Sequence, residues 1–202
     1  MQMPSSNPPQ IVLASTSPYR KVLLSTLTSS FVCTSPSADE TAQPDEAADA
    51  LAQRLARAKA ESLINHHPYS LIIGSDQVAS LNGHCLGKPG NYDNAFTQLS
   101  MSSGQIVSFF TGICLLNSQS GKYQLDVVQF DVHFRQLTKE QIHHYLLREQ
   151  PYDCAGSFKS EGLGIALFEE MRGSDPSSLI GLPLIRLTHM LMNEGIDILT
   201  LE

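Results

Sequence analysis

The hydrophobic pattern of the first 34 residues predicts a strand, a helix and a second strand. The apolar run at 11–14 is typical of a short buried strand. Ser17 followed by Pro18 provides an N-cap with proline at the first helical position, so we expect a helix over about 18–27. Residues 31–34 (FVCT) are typical of a second strand. The chain therefore begins as an alternating α/β protein.

A longer helix and a core strand follow. The chain is alanine-rich from Glu46, and helical spacing predicts a buried face with Lys59 at its border, formed by Leu51, Leu55, Ala58 and Ser62. The segment 70–81 (SLIIGSDQVASL) is apolar, then polar, then apolar again, and Gly74 would allow close backbone approach. We interpret it as a core strand that carries the carboxylate of Asp76.

The remaining pattern predicts a long antiparallel hairpin, three helices and one further strand. The hairpin comprises 105–116 and 123–134, the helices 92–101, 138–150 and 184–193, and the strand 164–168. Strands and helices alternate loosely, which indicates a mixed α/β fold. We expect a flexible tail at 1–9 and a single domain over 10–202.

Charge and cysteine content exclude several classes of function. The formal net charge is −7, which disfavours a nucleic acid polymer as partner but still allows a few cations in a cleft to bind a small polyanion. The four cysteines form no CxxC pair, as is usual for reduced thiols, so we expect a cytoplasmic protein. No apolar run approaches the length of about 18 residues that a membrane span needs.

The segment IVLASTSPYRK at 11–21 is a candidate phosphate site. A helix N-terminus offers unpaired backbone N–H groups and a partial positive charge, and the hydroxyls of Ser15 and Ser17 lie beside Arg20 and Lys21 in sequence. The alternative is that Ser17 merely caps the helix while the two cations are solvated. A ligand-binding role therefore needs partners from elsewhere in the chain.

Acidic residues and lysines supply candidate partners. Asp76, within a core strand, must be paired, metal-bound or catalytic, because a buried carboxylate is otherwise costly. Asp39 and Glu40 follow a strand and are suitable ligands for a hard cation, or they form an exposed acidic loop. Lys59 and Lys88 could bind phosphate, although each alone could equally be a surface lysine.

Two other catalytic or metal-binding arrangements are not supported. The histidine pairs 66–67 and 143–144 cannot share one ion on a helix, and no HxxxH or HExxH spacing occurs. No G-x-S-x-G elbow accompanies the serines. Zinc chemistry and a serine triad are therefore disfavoured.

The motifs taken together resemble the Maf family of nucleoside triphosphate pyrophosphatases over nearly the whole chain after residue 10. They are LASTSPYRKVLL, DET at 39–41, RLARAKA at 54–60, IIGSDQV at 72–78, GKP at 87–89, FFTGICLL at 109–116 and CAGSFKSEGLG at 154–164. The STSP, GSDQV and GSFKSEG forms resemble the branch whose members act on 7-methyl-GTP.

The resemblance implies a fold, a cofactor and a role for each candidate residue. The fold would be the Maf/Ham-like two-lobed α/β fold, with a central mixed β-sheet flanked by helices and a cleft between the lobes. The cofactor would be a divalent cation, Mg2+ or Mn2+, and a homodimer is frequent. Asp76 would be the proton acceptor and, with Glu40, a metal ligand. The other roles are phosphate binding and base preference, assigned to Ser15, Arg20, Lys59 and Lys88 and to Tyr19, Gln77 and Glu161 respectively.

The chemistry of these residues fits cleavage between the α and β phosphates of 7-methyl-GTP. N7-methylguanine is a cation, so the ring of Tyr19 attracts it, and Glu161 can accept hydrogen bonds from its N1–H and 2-amino groups. A first alternative is hydrolysis of UTP or dTTP, as in other branches of the family. A second is a nucleotide-binding regulator of cell division without catalysis.

Overall fold

A seven-stranded mixed sheet organises residues 9–200, the part of the chain that the computed structural model describes. The strands are β1 Gln10–Ala14, β2 Phe31–Thr34, β3 Ser70–Leu81, β4 His84–Leu86, β5 Ile106–Asn117, β6 Tyr123–Phe134 and β7 Phe168–Gly173. The α-helices are α1 Pro18–Ser25, α2 Ala48–Glu61, α3 Tyr92–Ser102, α4 Lys139–Glu149 and α5 Leu184–Asn193. Short 3-10 turns span Ala155–Ser157, Leu163–Leu167, Pro176–Ile180 and Ile198–Thr200. The predicted tail lies, apart from residue 9, outside the described residues.

The sheet order places β3 at the centre of the fold. The main path is β2-β1-β3-β5-β6-β7, with β4 paired to the far end of β3. β1 runs parallel to both β2 and β3, whereas β3, β5, β6 and β7 pair antiparallel. The mixed α/β fold with a central mixed sheet is therefore confirmed.

Side-chain alternation along β1, β3 and β5 builds a core on each face of the sheet. Odd-numbered apolar residues pack against α1 and α5, and even-numbered ones pack against α2. A separate core forms around the ends of β3 and β5 with α3 and α4. The first two cores cover the middle of the sheet and the third covers its other end, so packing falls into two regions along one sheet, as a two-lobed fold requires.

Two glycines let α2 lie directly on the sheet. A Cβ atom added at Gly74 or Gly112 would come within 2.1 Å of the carbonyl oxygen of Ala56 or Ala52. The expectation of close backbone approach at Gly74 is confirmed. Because the approach is so close, small residues of α2 form the contact, and Lys59 on the same helix lies within hydrogen-bond distance of Asp76 on β3.

Three details of the sequence prediction are wrong. The buried face of α2 consists of Leu51, Ala52, Leu55, Ala56, Lys59 and Ala60, whereas Ala58 and Ser62 are only half-buried. The first helix ends at Ser25, two residues early, where the Thr26 N–H bonds back into the helix. Of the strand expected at 164–168, residues 164–167 lie in a 3-10 turn, where Gly164 packs closely on the Lys159 backbone. The strand β7 begins only at Phe168, at the exposed edge of the sheet.

Candidate active site

One cavity of about 650 Å3 lies beside the polar middle of β3. Its wall includes the loop after β1, the centre of β3, the segment after β4 and the segments around 153–161 and 179–181. All nine residues to which the family resemblance gives a role line it: Ser15, Tyr19, Arg20, Glu40, Lys59, Asp76, Gln77, Lys88 and Glu161. The fold therefore brings together side chains that are up to 146 positions apart, from 15 to 161.

The turn from β1 into α1 is built by its own hydroxyl groups. The Ser17 N–H donates to Ser15 Oγ at 3.1 Å, and the Arg20 N–H donates to Ser17 Oγ at 3.4 Å. Arg20 Nε donates to the carbonyl oxygen of Gly181 at 2.8 Å, and burial lowers the pKa of this arginine. Lys21, also considered for the phosphate site, is exposed and not on the cavity wall, because consecutive helical residues point about 100° apart.

Lys59 joins two carboxylates at the base of the cavity. Its Nζ lies 2.5 Å from Asp76 Oδ1 and 2.8 Å from Glu40 Oε1. The lysine and Asp76 are nearly buried, with 7% and 13% of their side chains exposed, whereas 62% of Glu40 is exposed. The Lys59 hydrogen bond lowers the pKa of Glu40, and the charges of Lys59, Lys88 and Arg20 add to this effect.

The other candidate acid of this loop does not reach the cavity wall. Asp39 is exposed, and its carboxylate accepts from the Thr41 N–H at 2.9 Å. Lys88 is exposed and lines the cavity between Gly87 and Pro89. We call Arg20, Glu40, Lys59, Asp76 and Lys88 the charged cluster, since their charges act on one another.

A second group of side chains surrounds Tyr19. Burial, followed by the nearby Cys154, raises the pKa of Tyr19, so the phenol is neutral at physiological pH. Burial also raises the pKa of Cys154 to about 12, which makes it a poor nucleophile. Glu161 is exposed and accepts from Ser160 Oγ at 3.3 Å. We call Tyr19, Cys154, Lys159 and Glu161 the tyrosine cluster.

Gln77 has its amide nitrogen engaged with the opposite wall. Nε2 donates to the carbonyl oxygens of Ser178 and Leu179 at 2.8 and 3.0 Å and contacts Thr111 Oγ1 at 3.2 Å. Its N–H groups are therefore taken, and only its carbonyl oxygen is available to a ligand.

The segment 176–181 is held by buried polar residues that sequence reasoning missed. Ser75 Oγ donates to the carbonyl oxygen of Gly181 at 2.9 Å, and Thr111 Oγ1 donates to that of Ser178 at 2.9 Å. Asp175 accepts from Ser177 and from the Ile185 N–H. The Asp-Pro-Ser sequence at 175–177 is a recognisable helix-start signal that could have identified Asp175.

Within residues 9–200, no cluster of three or more histidine, cysteine, aspartate or glutamate side chains is placed to hold a metal ion. None of the helices in the same range is both long and apolar enough to cross a bilayer.

Comparison with known proteins finds relatives that share one name. The relative from Pseudomonas syringae pv. syringae (strain B728a), named 7-methyl-GTP pyrophosphatase, is 55% identical and covers 94% of this chain and 99% of its own length. Proteins of the same name from Pseudomonas savastanoi pv. phaseolicola (strain 1448A / Race 6) and Pseudomonas fluorescens (strain Pf0-1) are 54% and 55% identical, over 94% and 93% of this chain and 99% and 98% of their own.

The chain is also similar to a solved structure and to a protein family. The structure of the Staphylococcus aureus Ham1 protein covers 62% of this chain and 71% of its own, with 12% identity and a TM-score of 0.45. The family described as Maf-like protein matches residues 10–194. That match, together with relatives 54–55% identical over nearly their whole length, shows that the chain belongs to the Maf family.

Proposed function

We propose that this protein is a nucleoside triphosphate pyrophosphatase that hydrolyses 7-methyl-GTP to 7-methyl-GMP and diphosphate. The observation that carries the proposal is one cavity lined by the whole charged cluster and by three members of the tyrosine cluster, Tyr19, Cys154 and Glu161. A nucleoside triphosphate has a polyanionic and an aromatic part, and the two clusters match these parts in chemistry. The name of the Pseudomonas relatives, 7-methyl-GTP pyrophosphatase, supports the same reaction.

Water is the nucleophile in the proposed reaction. Asp76 accepts the proton as the water oxygen bonds to the α phosphorus, and the bond from that phosphorus to the bridging oxygen breaks, so that diphosphate leaves. Lys59, 2.5 Å from Asp76, orients this carboxylate. Arg20 and Lys88 bind the phosphate oxygens, with Ser15 at the start of the same turn.

A divalent cation, Mg2+ or Mn2+, fits the oxygen donors of this cavity. Mg2+ sites commonly use one or two carboxylates, with water and substrate phosphates as the remaining ligands. Glu40 and Asp76 are two such carboxylates, both bonded to Lys59. When bound, the cation would neutralise charge on the phosphate oxygens.

The tyrosine cluster supplies base recognition. Tyr19 presents a neutral ring that a cationic 7-methylguanine can stack against. Glu161 accepts hydrogen bonds from the N1–H and 2-amino groups, and the carbonyl oxygen of Gln77 is the remaining free acceptor on that side chain. A pyrimidine lacks the positive charge, so UTP and dTTP should be poorer substrates.

A nucleotide panel tests the proposal. Diphosphate release is measured for 7-methyl-GTP, GTP, UTP and dTTP with Mg2+, with Mn2+ and with EDTA. The highest kcat/KM is expected for 7-methyl-GTP, with no turnover in EDTA. In heavy-oxygen water the label should enter the nucleoside monophosphate. Faster hydrolysis of UTP or dTTP, or no turnover of any nucleotide, would contradict the proposal.

A further inference from the structure

Two cavity-lining segments lie outside the strands and α-helices of the fold. Residues 87–90 follow β4 and carry Lys88, and residues 153–161 carry Cys154 and Glu161. Apart from the short 3-10 turn Ala155–Ser157, neither segment is part of a helix or a sheet. The separation between Lys88 and Glu161 must therefore depend on side-chain and loop contacts.

Gln98, on α3, contacts both segments with one amide group. Its Nε2 donates to the carbonyl oxygen of Gly87 at 3.0 Å, and its Oε1 accepts from Ser157 Oγ at 2.6 Å. Gly87 is adjacent to Lys88, and Ser157 lies four residues before Glu161. The amide nitrogen of Gln98 thus holds the segment with Lys88, and its amide oxygen holds the segment with Glu161.

The conformation of Ser157 indicates that the second segment is held in one defined shape. Ser157 is fully buried and has a φ of 63°, in the left-handed region that a non-glycine residue adopts at a cost. It follows Gly156, with a φ of 73°. The hydrogen bond to Gln98 helps offset this cost, and the turn directs Phe158 into the core, 5.2 Å from the ring of Phe109.

A direct backbone contact joins the first segment to Tyr152, the residue that precedes the second segment. The N–H of Gly90 donates to the carbonyl oxygen of Tyr152 at 2.9 Å. Asn94, one turn before Gln98, donates to the carbonyl oxygen of Pro89 at 2.9 Å. The segment 87–90 is therefore tied to α3 through Asn94 and Gln98 and to the residue before the second segment through Gly90, and Gln98 is the side chain that contacts both segments.

We propose that Gln98 is a positioning residue that couples the Lys88 segment to the Glu161 segment, so that the base and the phosphates are recognised at a fixed separation. This inference rests on the proposed function for its consequence in catalysis. Its structural part, the coupling of the two segments, does not. Gln98 acts through Gly87 and Ser157 and does not itself line the cavity.

Three variants separate the two halves of the amide. Gln98→Leu removes both bonds at similar volume. Gln98→Glu keeps an acceptor for Ser157 but cannot donate to Gly87, and Ser157→Ala removes the other bond alone. Thr97→Ala is the matched control, because Thr97 is on the same helix and its hydroxyl bonds within that helix, to the Asp93 carbonyl oxygen.

Kinetics give the first readout. Gln98→Leu should lower kcat/KM for 7-methyl-GTP by about 10-fold and for UTP by less, because two net hydrogen bonds of ordinary strength are lost. Gln98→Glu and Ser157→Ala should each lower it by about 3-fold, and Ser157→Ala should add little to Gln98→Leu because the two share one bond. Thr97→Ala should match the wild type. An equal loss for every nucleotide would overturn the selective role.

Amide hydrogen exchange gives a readout independent of activity. Gln98→Leu should accelerate exchange in both 87–90 and 153–161, Ser157→Ala only in 153–161, and Thr97→Ala in neither. Acceleration in one segment or none with Gln98→Leu would overturn the coupling. If the wild type hydrolysed no nucleotide, the proposed function would fail, while the exchange pattern would still decide on the coupling.

Discussion

The charged cluster and the tyrosine cluster are held in place in different ways. Asp76 and Lys59 belong to β3 and α2, which are 12 and 14 residues long. The two elements are in close backbone contact at Gly74. Glu161 is exposed and lies in a segment without strand or α-helix. Asp76 and Lys59, proposed for the chemistry, are thus fixed by the core, whereas Glu161, proposed for base choice, is held by a loop.

This difference has a thermodynamic consequence. A substitution at Lys59 or Asp76 disturbs a nearly buried ion pair and should alter both catalysis and stability. A substitution at Glu161 removes a solvated side chain and should alter substrate choice with little effect on folding. The four predictions that follow test this contrast.

The largest effect is expected for Asp76→Asn. A positioned base contributes about 10²- to 10⁴-fold, so kcat for 7-methyl-GTP should fall by at least about 10²-fold. Nucleotide binding should remain measurable by calorimetry, because Arg20 and Lys88 are unchanged. Circular dichroism must first show that the variant is folded. Near-wild-type turnover in the folded variant would remove Asp76 from the mechanism.

Lys59→Met should destabilise the protein strongly. The substitution leaves the Asp76 carboxylate, 13% exposed, without its partner, and breaking a buried pair costs about 3–5 kcal/mol. Urea unfolding at pH 7 measures the loss. The double variant Lys59→Met with Asp76→Asn should recover part of the stability, since no unpaired charge remains.

A neighbouring arginine provides the control for this prediction. Arg57 lies on the same helix and pairs with Glu61 at 2.7 Å, but both side chains are 43% exposed. Arg57→Met should therefore cost less than about 1 kcal/mol. Equal losses of unfolding free energy for the two variants would mean that the Lys59–Asp76 pair stabilises the protein no more than an exposed ion pair does.

Glu161→Gln should change selectivity by a smaller factor. The lost charge-assisted hydrogen bond is worth about 1.5 kcal/mol at an exposed site, which corresponds to about 10-fold in kcat/KM. The ratio of kcat/KM for 7-methyl-GTP to that for UTP should fall, while the unfolding midpoint stays the same. If all nucleotides lost equally, Glu161 would serve the catalytic framework and not base recognition.

The sequence located the core of this fold because its strongest signals were local. The apolar runs of β1 and β3 and the paired segments of β5 and β6 follow regular periods. A carboxylate within such a run, as at Asp76, is conspicuous for the same reason. By contrast, β7 at the sheet edge has a largely polar and exposed sequence, FEEMRG, and carries no such signal.

The contacts between side chains could not be predicted from spacing. Glu40 and Lys59 are 19 positions apart, and Lys59 and Asp76 are 17 apart, so only the packing of α2 on β3 reveals their pairing. Gln98 resembles an ordinary glutamine of a surface helix until the two loops are in place. The sequence alone does not determine which residues that are distant along the chain come into contact.

The smallest expected effect concerns Glu40, the exposed member of the charged cluster. The hydrogen bond from Lys59 holds its pKa below the ordinary value of 4.5, so the contribution of this pair to stability is present above pH 4.5 and is lost as the pH falls through the lowered folded-state pKa. Because 62% of the side chain is exposed, the contribution should be below about 1 kcal/mol. Glu40→Gln should accordingly be slightly less stable than the wild type in urea at pH 7, and the difference should shrink at pH values well below 4.5. Glu169→Gln, at an exposed position of β7, is the control and should show a smaller difference at pH 7. A difference for Glu40→Gln that did not change with pH would show that Glu40 is not stabilised through its ionised form.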